Sequence, residues 1–229
     1  MKDPEIDHIL NQPAPAVDPA LLARITASLG ASLAPVRPLP APWKLIALLI
    51  LIWSATASAA SVLLGTYGIA HLSLPQTAAI FPLLTALAIL SASLSVAQII
   101  PGSRQLLSPR LLLATACAAL LVLFPLLFQD YTITNFLRSG NRCLTAGISV
   151  AFPAGLLAWL VLRRGYAVNR AAAGLAAGTL AGLTGVTMLE LHCPNLEVFH
   201  VLLWHTAVIP VSALASAAVA AAWPPLETE

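Results

Sequence analysis

The sequence predicts an all-α integral membrane protein with six transmembrane helices and both termini cytoplasmic. Three observations carry this. The composition is 59% hydrophobic and only 9% charged, with a positive mean hydropathy, whereas soluble domains carry about 25% charged residues. Six apolar runs each approach the ~20 residues a helix needs to cross the hydrocarbon core. Lysine and arginine are spread unevenly over the connections between those runs. A net charge of +2, without a long basic run, excludes direct nucleic-acid binding.

Residues 1–43 form a polar, proline-rich tail, residues 44–222 the six-helix membrane domain and residues 223–229 a short C-terminal tail. The start of the chain is acidic, unlike a cleaved signal peptide, so the first membrane helix is expected to act as an uncleaved anchor. Within the tail, Asp3-Pro4 and Asp18-Pro19 each read as a helix N-cap followed by proline at the first helical position. After Asp18, the residues Leu21, Leu22, Ile25 and Leu29 fall on one face of a short amphipathic helix over about 19–29, which Gly30 is expected to end. Ile6, Ile9 and Leu10 make a weaker copy, set apart by Pro13 and Pro15. A short isolated helix is marginal in water, so its apolar stripe calls for a partner's groove or for membrane lipid. The segment Pro35-Val-Arg-Pro-Leu-Pro-Ala-Pro42 reads as a semi-rigid spacer.

The spans are expected at about 45–67, 75–99, 110–128, 144–162, 171–190 and 199–222. With the tail inside, Lys2, Arg24, Arg37, Lys44, Arg104, Arg110, Arg163, Arg164 and Arg170 are cytoplasmic and only Arg138 and Arg142 lie on the far side. This asymmetry sets the orientation and places the loops near 68–74, 129–143 and 191–198 outside. Pro82, Pro125, Pro153 and Pro210 fall within spans, where proline kinks a helix without implying chemistry. Gly174, Gly178 and Gly182 recur every four residues on the fifth span, flanked by Ala171 and Gly185. Such a face lets helices approach closely, for packing inside the bundle or for a homodimer.

Chemistry-bearing residues concentrate between the fifth and sixth spans, where Glu190, His192, Cys193, Glu197, His200 and His205 follow in quick succession. Ionisable groups at membrane depth are costly unless paired or wet, which marks the stretch as functional. Cys117 lies among alanines and leucines and reads as a small core residue. Cys143, at the expected start of the fourth span, and Cys193, just after the fifth, sit at comparable depth on the outer face. On an oxidising far side they could form a disulfide or a poised thiol pair. Sulfur and imidazole ligands suit zinc or copper, and His192, His200, His205 and Glu190 are metal or supporting candidates. Against a metal site, His200 and His205 are five residues apart, off a common α-helical face. No bound cofactor is expected.

The segments Asn141-Arg-Cys-Leu-Thr-Ala-Gly147 and Leu162-Arg-Arg-Gly165, the glycine-rich fifth span, and His192-Cys-Pro194 with Trp204-His205 together resemble the NrsF family of six-helix membrane anti-sigma factors. Pro35-Val-Arg-Pro-Leu39, ahead of the first span, is similar to the family's pre-membrane segment. The resemblance implies a protein of the bacterial inner membrane that holds an extracytoplasmic-function sigma factor on the cytoplasmic side and releases it under stress. It further implies that the sensing cysteines, responsive to oxidant or heavy metal, are Cys143 and Cys193. Partner binding then falls to Leu21, Leu22, Ile25, Leu29 and Arg37. A membrane thiol oxidoreductase would also use a far-side cysteine pair, but the chain has no Cys-x-x-Cys. A transporter would need paired ionisable groups near mid-membrane and interrupted helices, and the spans show neither. A regulator without enzymatic activity is therefore the expectation.

Overall fold

The computed structural model describes residues 18–32, 38–105 and 107–222. It divides into two units, Met1–Pro38 and Leu39–Glu229. In the first unit a single helix, α1 (Pro19–Ser32), is described. Asp18 starts it as expected, its carboxylate accepting the Ala20 amide at 2.9 Å. Gly30 does not end it: the glycine keeps a negative φ with nothing crowding it, so the helix runs two residues further. Leu21, Leu22, Ile25 and Leu29 are 45–60% exposed. Arg37, the Asp3-Pro4 helix and most of the proline spacer lie outside the described residues.

The second unit holds six helices long and apolar enough to cross a membrane: α2 (Pro42–Leu64), α3 (Leu74–Gln98), α4 (Pro109–Leu127), α5 (Phe136–Leu162), α6 (Arg170–His192) and α7 (Val198–Ala222). Their starts follow local chemistry. Proline occupies the first turn of α2, α3 and α4, where its missing N–H costs no hydrogen bond. Ser73 and Gln76 close a capping box on α3, and Ser108 and Asn169 cap α4 and α6. The four span prolines lie inside α3, α4, α5 and α7.

Helix α6 is the centre of the bundle, with 83% of its most apolar stretch buried against 22–50% for the other five helices. It packs most extensively on α7, and its small residues make that possible. A Cβ on Gly174, Gly178 or Gly182 would come within 2.6–2.7 Å of α7 atoms, including the Ala213 and Ile209 α-carbons. The glycine face is therefore an internal seam covered by α7, not a surface open to a second copy. On the other side, Gly185 meets the backbone carbonyl of Gly147 in α5. Buried polar groups pair across the same core: Trp53 Nε1 donates to Thr187 Oγ1 at 3.2 Å and Ser91 Oγ to the Ala176 carbonyl at 3.0 Å. Unpaired, each would cost several kcal/mol in lipid.

Alternating helix directions gather the connections 65–73, 128–135 and 193–197 at one end of the bundle, here termed the cysteine end. The first connection seals α6. Gly68 and Ile69 donate their amides to the His192 and Leu191 carbonyls, both at 3.1 Å, satisfying acceptors that a helix C-terminus leaves open. A Cβ on Gly68 would sit 2.7 Å from the Cys193 carbonyl oxygen, so only glycine fits.

Candidate functional site: a buried thiol and histidine cluster

Cys143 lies two turns inside α5, not at the start of the helix as the sequence suggested, because α5 begins at Phe136 rather than near 144. Asn135 initiates it from a left-handed conformation, φ 50°, which asparagine tolerates better than most residues. The polar run that follows looks like loop but stays helical. Ser139 Oγ and Thr145 Oγ1 bond back to the Asn135 and Asn141 carbonyls at 3.0 and 2.7 Å, which satisfies their hydroxyls within the helix.

Cys143 therefore meets Cys193, the residue after α6, with 3.3 Å between the sulfurs. Both are free thiols, well outside the ~2.0 Å of a disulfide bond. Cys143 is half-buried and Cys193 buried. The hydrogen bond shared with Cys143, together with burial, holds the Cys193 thiol above its ordinary range, against the opposing pull of His200 and His205. Cys117 sits apart in α4, partly buried against the core.

The histidines resolve in a way that the α-helical spacing hid. Val201–His205 forms a π-helical segment at the start of α7, and its wider turn brings residues five apart into register. His200 and His205 consequently face each other with ring centroids 5.4 Å apart, although an α-helix would set them about 140° apart around its axis. Both rings are buried. His200 Nε2 lies 3.5 Å from Cys193 Sγ and its Nδ1 3.5 Å from Ser139 Oγ. His205 Nδ1 pairs with Glu190 Oε1 at 2.7 Å, and its Nε2 is buried without a hydrogen-bond partner. One ligand atom from each of Cys143, Cys193, His200 and His205 lies within 4.8 Å of the other three.

His192 does not join this cluster. Its Nδ1 turns to the Gly65 carbonyl at 2.8 Å and its ring packs near Tyr67, so it tethers the 65–73 connection. Glu190 joins as the partner of His205. Gly140 makes room for the cluster's rim, since a Cβ there would collide with the Trp204 indole.

A family model described as NrsF, negative regulator of sigma F, matches residues 29–223. The chain belongs to the NrsF family. No curated protein and no solved structure matches it. The matched residues of this NrsF protein include the whole cluster and Leu29, whereas Leu21, Leu22 and Ile25 precede them.

The NrsF cluster is roofed by a clasp between two connections, in which Glu197 plays a part the sequence did not reveal. Its carboxylate accepts from the Thr134 hydroxyl, from the Thr134 amide at 3.1 Å and from Thr132 Oγ1 at 3.4 Å. The Val198 amide donates to the Asp130 carbonyl at 2.8 Å. Burial opposes ionisation of Glu197, but the hydrogen bonds from Thr134, Asn195 and Thr132 outweigh it and hold the carboxyl below its ordinary range. A carboxylate with a depressed folded-state pKa contributes stability above the ordinary glutamate range and loses it as pH falls through the depressed value. Glu197→Ala, which strands buried donors, should cost about 1–3 kcal/mol. Amide hydrogen exchange at residues 130–135 should accelerate in this variant at neutral pH, and in the wild type only under acid. Unchanged exchange in the variant would remove the clasp from the account.

Proposed function

We propose that this NrsF protein is a bacterial inner-membrane anti-sigma factor that holds an extracytoplasmic-function sigma factor on the cytoplasmic side. It releases the partner when the Cys143 and Cys193 thiols meet an oxidant or a thiophilic metal ion. The observation that carries this reading is the pair of free thiols 3.3 Å apart, in a chain whose family is described as a negative regulator of sigma F. The pair sits at the opposite end of the bundle from Pro42, where α2 begins, so stimulus and partner occupy separate faces. The exposed stripe Leu21, Leu22, Ile25 and Leu29 on α1 suits the docking of an apolar groove.

The cysteines lie where a local change reaches several helices. Cys143 belongs to α5, Cys193 follows α6, and both touch the start of α7 through His200 and His205. Closing the sulfurs from 3.3 Å to a bond of ~2.0 Å draws α5 toward the end of α6. Such a shift acts on the partner only if the bundle has two packed arrangements with different affinity for it.

A pull-down from detergent-solubilised membranes tests this. The full chain should retain a sigma factor under reducing conditions and release it after peroxide or cadmium treatment, while Cys143→Ser and Cys193→Ser should retain it under both. Deleting residues 1–34 should abolish capture without altering membrane insertion. Absence of a sigma factor from the reduced full-chain sample would refute the reading.

A further inference from the structure

We propose that Cys143, Cys193, His200 and His205 form a tetrahedral site for one divalent cation of the zinc and cadmium class, with Glu190 orienting His205 from behind. The proposal deepens the reading above by naming the ligand set. It rests on that reading only for what metal binding does to the partner.

Distances come first. With metal–sulfur bonds of about 2.3 Å and metal–nitrogen bonds of about 2.0 Å, the edges of a tetrahedral site are about 3.3–3.8 Å. The sulfurs are already 3.3 Å apart, Cys193 Sγ and His200 Nε2 are 3.5 Å apart, and no separation within the four-atom set exceeds 4.8 Å. Contraction by about 1 Å, within reach of side-chain rotation, therefore closes the shell around an ion.

The donor set selects the ion. Two sulfurs and two imidazole nitrogens in tetrahedral array match zinc and its soft neighbours, whereas calcium, magnesium and manganese require oxygen ligands. The surrounding groups match as well. A metal-bound histidine ordinarily gives its second nitrogen to a carboxylate or another hydrogen-bonding group. His205 already gives Nδ1 to Glu190 and leaves Nε2 buried without a partner, while His200 turns Nδ1 toward Ser139 Oγ. A partnerless ring nitrogen at 1% residue exposure is costly, and coordination satisfies it.

Charge also balances. The cation binds two thiolates and two neutral imidazoles, and the two thiol protons leave to solvent, so one dication replaces two protons and the charge of the buried site is unchanged. Oxidation uses the same atoms differently. Hydrogen peroxide takes two electrons and two protons from the thiols, giving one disulfide and two waters, and thereby removes two of the four ligands. Metal occupancy and the disulfide consequently exclude each other.

Titration of the reduced, detergent-purified full chain with cobalt(II) tests the site. The expected result is one equivalent bound, with a thiolate-to-cobalt charge-transfer band and tetrahedral d–d bands that zinc or cadmium abolishes by displacement. His200→Ala and His205→Ala should each lose the tetrahedral signature and weaken binding by more than about tenfold. Glu190→Gln should keep the spectrum and weaken binding about 10–100-fold, and His192→Ala should change neither. Peroxide-driven formation of the Cys143–Cys193 disulfide in the histidine variants verifies that they fold. A wild-type chain without the charge-transfer band, or a His200→Ala/His205→Ala double variant with wild-type spectrum and affinity, overturns the proposal. Sigma-factor capture by the same samples without metal is a separate readout, so failure of the site and failure of the functional reading remain distinguishable.

Discussion

Glu190→Ala should destabilise the bundle by about 3–5 kcal/mol, because the substitution leaves the buried His205 ring without the carboxylate that holds it. The two side chains pair at 2.7 Å with 2% exposure each, and breaking such a pair strands a desolvated polar group. His205→Ala should cost a similar amount by leaving Glu190 alone, buried at 3% exposure. The double variant is the informative one. If the loss is largely the cost of the orphaned partner, Glu190→Leu combined with His205→Leu should recover much of it, since replacing a buried pair with apolar residues is often neutral. Equilibrium unfolding in mixed detergent across the four proteins measures this as a double-mutant cycle. Strictly additive losses would show that the pair is not energetically coupled.

Gly178→Leu should disrupt the α6–α7 seam more than any single substitution on the lipid-facing surface. Even the first carbon of a side chain meets Ser216 Cβ at 2.6 Å and the Ala213 α-carbon at 2.7 Å, and backbone cannot rotate away as a flexible side chain can. Gly178→Ala should therefore cost about 1–3 kcal/mol, with leucine costing more and lowering the yield of folded protein. Gly155→Ala is the control, because its Cβ meets the Ala181 methyl at an ordinary 3.4 Å. Thermal melting of the detergent-solubilised variants ranks the three. Were the glycine face a dimer interface, Gly178→Ala would change oligomeric state by size-exclusion chromatography and leave monomer stability intact.

The sequence made the architecture legible because lipid imposes strong rules. Apolar runs of membrane length became helices, and the prolines and polar caps at their ends marked α2, α3, α4 and α6 within a few residues. The glycine register on the fifth span identified its packing face, and the partner of that face, α7, came only with the fold. The cysteine end was half legible. Its residues were singled out by their rarity in an apolar chain, but their depths were misjudged where polarity and helicity part company. Ser139, Asn141 and Arg142 look like a loop by composition, yet they extend α5 by two turns past the expected span. His192 was grouped with the cluster through adjacency to Cys193, and local turn geometry sends its ring to Gly65 instead. The five-residue spacing of His200 and His205 argued against a shared face only under α-helical geometry, and no feature of Val201-Leu-Leu-Trp204 announces a π turn.

That π turn is best understood as an insertion. Removing one residue between His200 and His205 would leave the histidines four apart on an ordinary α-helix, still facing one another. What it would alter is everything downstream: Ile209, Ala213 and Ser216, which meet the glycines of α6, would rotate by about 100° relative to the histidine pair. The extra residue thus lets one helix keep two phases, one facing the thiols and one facing the seam. A single-codon deletion there should spare every named side chain of the cluster and still separate it from the packing that holds it in place.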